Sequence, residues 1–241
     1  MKRFMMVVFT DVRVQVRNNL YNIGIVVSLI VAVGLSQLVF PSQLFSVVPA
    51  LLLMMIGATT MLYVGGMIMF EKEEGTLKAN IVSPVTAANY LCSKIITLTA
   101  LALLESAIII GGALIIMSRA NEIVVPNILM LVSGVITIGI LYTLVGIILI
   151  VRYNKITDYL IPMALVILIL QLPFLYYFGL VEQSGLLIIP TSAPTMLMQG
   201  AFIELTGGQW IYALGYSALV IITFAYWASR SFNNNIINKV G

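Results

Sequence analysis

The sequence has no histidine, a single cysteine and few charged residues, which make up 9% of the chain. Without histidine it lacks the commonest metal ligand and the commonest general base. Cys92 has no second cysteine with which to form a disulfide inside the chain. A Gly-x-x-x-x-Gly-Lys-Ser/Thr phosphate loop is also missing, so the chain does not bind ATP by that route. We therefore expect a non-catalytic protein with no metal site and no cofactor bound by this chain.

Apolar residues dominate what is present. They form 61% of the 241 residues, and the mean hydropathy is +1.10, whereas a soluble domain is about 45–50% apolar. So much apolar surface requires lipid as its solvent. At about 20 residues per transmembrane helix, the length allows five to seven spans and leaves no room for a soluble catalytic domain. The predicted fold class is an all-α integral membrane protein.

Long apolar runs separated by short polar turns divide the chain further. We predict six transmembrane helices, at about residues 21–40, 45–70, 95–117, 126–151, 159–180 and 210–228. Together they form one six-helix domain over residues 21–241. Between the fifth and sixth spans, residues 181–208 hold apolar pieces that are too short to cross a bilayer. These pieces are predicted to be re-entrant or interfacial segments.

Residues 1–20 mix basic residues with apolar ones. Val8, Val12, Val16 and Leu20 are four apart, which favours one face of a helix. We therefore predict an N-terminal amphipathic helix on the cytoplasmic surface of the membrane. The alternative is a basic tail whose only role is to orient the first span.

The basic residues are distributed unevenly between the two ends of the predicted spans. If the N-terminus is cytoplasmic, eleven of the twelve lysines and arginines lie in cytoplasmic segments, and only Arg119 lies outside. Positive charge concentrates on the cytoplasmic side of membrane proteins. We therefore predict a multi-pass protein of the plasma membrane with both termini in the cytoplasm.

The densest charge lies between the second and third spans, in the cytoplasmic loop 71–94. It begins with the sequence Glu71-Lys72-Glu73-Glu74-Gly75-Thr76-Leu77. Acidic residues suit the start of a helix, and Gly75 permits a tight turn. From the residues alone, the segment is either a solvated loop or a short helix rigidly joined to both spans.

The order of residues in this loop resembles that of ABC-2 type permeases, the membrane subunits of ATP-binding-cassette exporters. The resemblance covers about 24 residues: the motif from Glu71 to Leu77, then Ser83-Pro84-Val85, Tyr90-Leu91 and Lys94. Lys78 departs from the family pattern, which often has an acidic residue there.

The resemblance implies that the loop is a coupling helix that docks on a separate ATP-binding-cassette ATPase subunit. ATP and magnesium would be bound by that partner. A second permease chain, in a homodimer or a related heterodimer, would complete the pathway. The resemblance also implies contact with the lipid bilayer and no binding of nucleic acid. The implied coupling residues are Glu71, Lys72, Glu73, Glu74, Gly75, Thr76, Leu77, Ser83, Pro84 and Lys94.

Glu105 lies near the middle of the third span, where an ionisable group costs about 2–3 kcal/mol on insertion scales. It is either a carboxylate on a substrate path or a structural residue satisfied by a neighbour. The expected neighbours are Ser133, Thr137 and Tyr142. Gln171, close to Pro173, is a second candidate for the substrate path.

The predicted function is the permease subunit of an exporter that moves a hydrophobic or amphipathic substrate, such as a drug, out of the cytoplasm. One alternative is a self-sufficient secondary transporter or channel, for which Glu105 is the one available intramembrane charge. Another is an integral membrane enzyme, for which the spans offer no evident metal ligands.

Overall fold

The computed structural model describes residues 2–38, 40–77, 86–118, 125–181 and 184–238. These residues form helices joined by short turns, without a strand among them. We number the helices α1 (Lys2–Arg17), α2 (Leu20–Leu38), α3 (Leu44–Glu73), α4 (Ala87–Ser118), α5 (Ile128–Ile150), α6 (Ile156–Gln171), α7 (Phe174–Tyr177), α8 (Ser192–Gln199) and α9 (Gly207–Ile237). The all-α prediction is confirmed.

Six helical segments of the described residues are long and apolar enough to cross a membrane: α2, α3, α4, α5, α9, and α6 taken together with α7. Pro173 lies at the join between α6 and α7. A proline there removes a backbone donor and interrupts the helix. The six predicted spans are confirmed by length and composition.

Two of these helices extend beyond the apolar runs that indicated them. Helix α3 continues to Glu73, past Phe70, and α4 begins at Ala87 rather than near Ile95. The prediction ended these spans where charge began. The helices continue because Glu71 and Lys94 bind each other inside the protein.

Helix α1 packs against the rest of the protein through polar residues rather than through the face that carries Val16. Asp11 and Gln15 are buried, whereas Val16 is 56% exposed and Phe9 is 62% exposed. Asn19, with φ of 59°, makes the bend into α2, a conformation that asparagine tolerates. The position of α1 on the membrane surface stays a prediction.

The short helix α8 packs inside the bundle, against α3 and α5. Seven of its eight residues, Ser192 to Met198, are buried. Hydroxyls bond to backbone carbonyls where α8 begins: the Tyr177 hydroxyl donates to the Ser192 carbonyl at 2.7 Å, and the hydroxyl of Thr191, just before α8, donates to the Leu170 carbonyl of α6. Such partners allow irregular backbone within an apolar bundle. Whether this segment is re-entrant stays a prediction.

Several chain segments meet at one end of the bundle, which we call the charged end: α1, the end of α3, the start of α4, the turn 151–155 and the end of α9. The Lys72 ammonium donates to the carbonyls of Ile150 at 3.2 Å and Tyr153 at 2.6 Å. The rings of Tyr90 and Phe232 stack with their centres 5.1 Å apart. These contacts join segments that are far apart in sequence.

Candidate functional site

The centre of the charged end is the ammonium group of Lys94, in the first turns of α4. Lys94 is fully buried. Its Nζ lies 2.5 Å from Oδ1 of Asp11 in α1 and forms a second ion pair with Oε1 of Glu71 in α3. One cation is therefore held between two carboxylates. We call Asp11, Glu71, Tyr90, Ser93 and Lys94 the ion cluster.

The other two carboxylate oxygens of the ion cluster are also bonded. The Tyr90 hydroxyl donates to Oε2 of Glu71 at 2.6 Å, and the Ser93 hydroxyl donates to Oδ2 of Asp11. Buried charges are stable only when they are paired and their remaining lone pairs are satisfied. The cluster meets this requirement within the described residues.

The ion cluster connects four helices. Asp11 belongs to α1, Glu71 to α3 and the other three members to α4. The ring of Tyr90 stacks on Phe232 of α9, and the Lys94 ammonium lies 5.0 Å from the centre of the Tyr90 ring. The cluster therefore links α3 and α4 to α1, and the Tyr90 ring links α4 to α9.

An exposed turn follows the ion cluster directly. Glu73, Glu74, Gly75 and Thr76 are exposed. Gly75 has φ of +70°, a left-handed conformation that favours glycine at the end of a helix. Glu74 forms a 2.7 Å ion pair with Arg17 at the end of α1, and both side chains are about half exposed. This turn is accessible to a binding partner, whereas the ion cluster is not.

The predicted coupling residues thus divide into two groups that the sequence did not separate. Glu71, Leu77 and Lys94 are buried, and Lys72 binds the carbonyls at the end of α5. The exposed members are Glu73, Glu74, Gly75 and Thr76. Ser83 and Pro84, with the divergent Lys78, lie outside the described residues. The coupling role of all of them stays a prediction.

Glu105 lies in a second buried site, between α3 and α4. Its Oε2 is 2.9 Å from the Thr59 hydroxyl, and its Oε1 accepts from the Tyr63 hydroxyl at 3.0 Å. The expected neighbours were wrong, because the side of α4 that carries Glu105 faces α3 rather than α5. The hydroxyls of Ser133 and Thr137 bond to carbonyls of their own helix.

Gln171 lies at the end of α6. Its amide Nε2 donates to the Met54 carbonyl of α3 at 2.9 Å. This bond satisfies a carbonyl within the bundle and ties the end of α6 to α3. A role for Gln171 on the substrate path stays a prediction.

Asp11 is a member of the ion cluster that sequence reasoning missed. Asp11 and Gln15 are four residues apart, a spacing that marks a polar stripe on one face of α1. This stripe was the available signal that α1 packs through polar contacts. Its partner could not be inferred from the spacing, since Lys94 is 83 residues away.

The apolar helices and the buried ion cluster at one end define the class of this chain as a multi-pass helical membrane protein. It belongs to the fluoroquinolones export permease protein family, whose model matches residues 2–240. It is similar to the fluoroquinolones export permease proteins of two strains of Mycobacterium tuberculosis, with 28% identity over 185 residues, 74% of this chain and 73% of each relative. The resemblance to exporter permeases is confirmed, and the chain is a transport protein.

Proposed function

We propose that the chain is the membrane subunit of an ATP-binding-cassette exporter. A separate ATPase subunit, which binds ATP and magnesium, drives it. A second permease chain, identical or related, completes the pathway. The substrate is a hydrophobic or amphipathic compound that leaves the cytoplasm, and the names of the two relatives favour drugs of the fluoroquinolone class.

The observation that carries the proposal is the arrangement of the exposed turn 73–76 on the buried ion cluster. A soluble motor subunit needs an accessible contact and a stiff connection to the spans. The exposed carboxylate of Glu73 and the turn at Gly75 supply the contact. The Lys94 ion pairs with Asp11 and Glu71 supply the connection.

The shape of the bundle supports an apolar substrate. A groove of about 450 Å³ runs between α4 and α5 and is lined by apolar residues such as Ile110, Leu114 and Leu131. Grooves of this size hold drug-sized molecules. Helices that move at the charged end would change the width of such a groove, because α4 belongs to both.

The proposal requires the charged end to face the cytoplasm, which cysteine labelling tests. Cys92 is the only native cysteine, so a Cys92→Ser background has none. Glu73→Cys and Glu204→Cys place single thiols at exposed positions at opposite ends. In intact cells, a membrane-impermeant maleimide should label the variant at position 204 only. Labelling at position 73 only would place the charged end outside the cell and contradict the proposal.

The most direct test of the partnership is to co-express the chain with each ATP-binding-cassette ATPase of its host and isolate the complex. We expect one ATPase to co-purify and its hydrolysis to be stimulated by amphipathic compounds, fluoroquinolones among them. Transport by the purified chain alone, driven by an ion gradient, would instead establish a secondary transporter.

A further inference from the structure

Glu105 lies deep in the bundle, far from the ion cluster. It is eleven residues beyond Lys94 on the same helix, which is about 16 Å at 1.5 Å per residue. Its side chain is 3% exposed. A third helix closes over it, because a Cβ placed on Gly24 of α2 would lie only 2.5 Å from Oε1 of Glu105. Glu105 therefore lies where α2, α3 and α4 meet.

The hydrogen-bond partners of Glu105 reveal where its proton belongs. The Thr59 hydroxyl lies 2.9 Å from Oε2 of Glu105 and 3.0 Å from the carbonyl of Met55, but it has only one proton to donate. If Glu105 carries a proton on Oε2, it donates to Thr59, and Thr59 donates to Met55. Oε1 then accepts from Tyr63. Each of these three contacts then has one proton between its two oxygens.

The charges around Glu105 favour the same assignment. The ion pairs of the described residues all lie at the charged end, and none involves Glu105. A carboxylate here would be a buried anion with two neutral donors and no cation. Isolated buried charges are so costly that such groups take up a proton instead. The neutral acid keeps both contacts and removes the charge.

We infer that Glu105 is a neutral carboxylic acid, with its proton shared with Thr59, and that it is a positioning residue holding α2 against α3 and α4. The carboxyl group of Glu105 fills the space beside Gly24 that a side chain at that position would need. The site therefore presents no fixed negative charge to a cationic substrate. This inference concerns the permease alone and stands or fails independently of the ATPase partner.

Infrared spectra of the purified permease in lipid nanodiscs test the protonation state. Subtracting the spectrum of Glu105→Gln from that of the unmodified chain should show the loss of a protonated carboxyl C=O band. Glu71→Gln is the matched control and should show the loss of a carboxylate band, since Glu71 is paired with Lys94. Loss of a carboxylate band in Glu105→Gln would overturn the inference.

If Glu105→Gln fails to fold, a second variant tests the protonation state of Glu105. Tyr63→Phe removes the donor to Oε1 without removing the carboxyl group. The protonated C=O band should then move to higher frequency, because hydrogen bonding weakens the C=O bond. A spectrum that has no protonated band to move would contradict the neutral acid.

Transport separates the positioning role from charge recognition. Glutamine keeps a donor toward Thr59 and an acceptor toward Tyr63, as the protonated acid does, so Glu105→Gln should leave the unfolding temperature unchanged and export cationic and neutral compounds equally well. Glu105→Ala should lower the unfolding temperature and reduce export of both classes. Selective loss of cationic compounds in Glu105→Gln would overturn the inference and support a substrate-path carboxylate.

Discussion

Glu71 and Glu105 are both buried glutamates that accept a hydrogen bond from a tyrosine, yet their surroundings differ in one respect. Glu71 has Lys94 beside it, and Glu105 has no cation among the described residues. Glu71 lies at the end of α3, next to a solvent-exposed turn, and Glu105 lies well inside α4. One carboxyl group is therefore held as half of an ion pair and the other as a neutral acid.

An apolar bundle can therefore hold acidic groups for two purposes, depending on whether a cation lies beside them. A paired carboxylate connects helices strongly and directionally, which suits the end where a partner subunit would act. A neutral acid connects helices through ordinary hydrogen bonds and places no charge in the apolar interior of the bundle. Five substitutions and one double variant test whether the two glutamates differ in this way.

Removing the cation of the ion cluster should cause the largest loss of stability against unfolding. Lys94→Met leaves the carboxylates of Asp11 and Glu71 buried together without a counter-ion. Breaking a buried ion pair in this way costs about 3–5 kcal/mol. Thermal unfolding in detergent measures the loss, and Lys155→Met, at an exposed position, is the matched control. Equal stability of the two variants would refute the ion cluster.

Neutralising the two glutamates separately tests the comparison itself. In Glu71→Gln an NH2 group, which cannot accept a hydrogen bond, replaces one of the two oxygens that face Lys94 and Tyr90, and the negative charge beside Lys94 is lost. We expect a loss of about 1.5–3 kcal/mol, the range for hydrogen bonds to charged groups. Glu105→Gln should lower the free energy of unfolding by less than Glu71→Gln, because the amide keeps a donor and an acceptor and no ion pair is lost. Similar losses in both variants would contradict different charge states.

Filling the space at Gly24 tests the packing around Glu105. Gly24→Ala places a methyl group against Oε1 of Glu105, and overpacking of this kind costs about 1–3 kcal/mol. The cost should fall in a Glu105→Ala background, where the obstructing atoms are absent. A double-mutant cycle on unfolding measures the coupling. Strictly additive effects would mean that the two residues do not touch.

The exposed ion pair at the turn should contribute least to stability. Arg17 and Glu74 are each about half exposed, and exposed pairs are worth about 0–1 kcal/mol and weaken with salt. Arg17→Ala should therefore lower the free energy of unfolding by less than about 1 kcal/mol. A loss as large as that of Lys94→Met would show that α1 is held by the surface pair rather than by Asp11.

The fold was largely predictable because its signal is local. Each span is a run of about 20 apolar residues, and such a run has few alternatives in a membrane protein. The ends of α3 and α4 were less predictable, since the prediction treated Glu71 and Lys94 as groups that must stay in water. Because these two residues pair with each other, they can be buried inside the protein. Their pairing depends on tertiary structure, which the prediction did not have.

The candidate site was predictable in part. The order of residues from Glu71 to Leu77 indicated the loop, but no periodicity separates the buried Glu71 from the exposed Glu73. Asp11 belongs to the site through α1, and a contact across 83 residues leaves no pattern in a single sequence. The partners of Glu105 were mistaken for a similar reason, since they depend on which helix packs against α4.

The central claim is that the exposed turn after α3 couples the permease to an ATPase, and charge reversal there tests it most directly. The measurement is substrate-stimulated ATP hydrolysis by the purified complex carrying Glu73→Lys, compared with Glu204→Lys, an exposed glutamate at the opposite end. We expect stimulation to be lost or strongly reduced for Glu73→Lys alone, with unchanged unfolding temperatures for both variants. Full stimulation in the Glu73→Lys complex would contradict it.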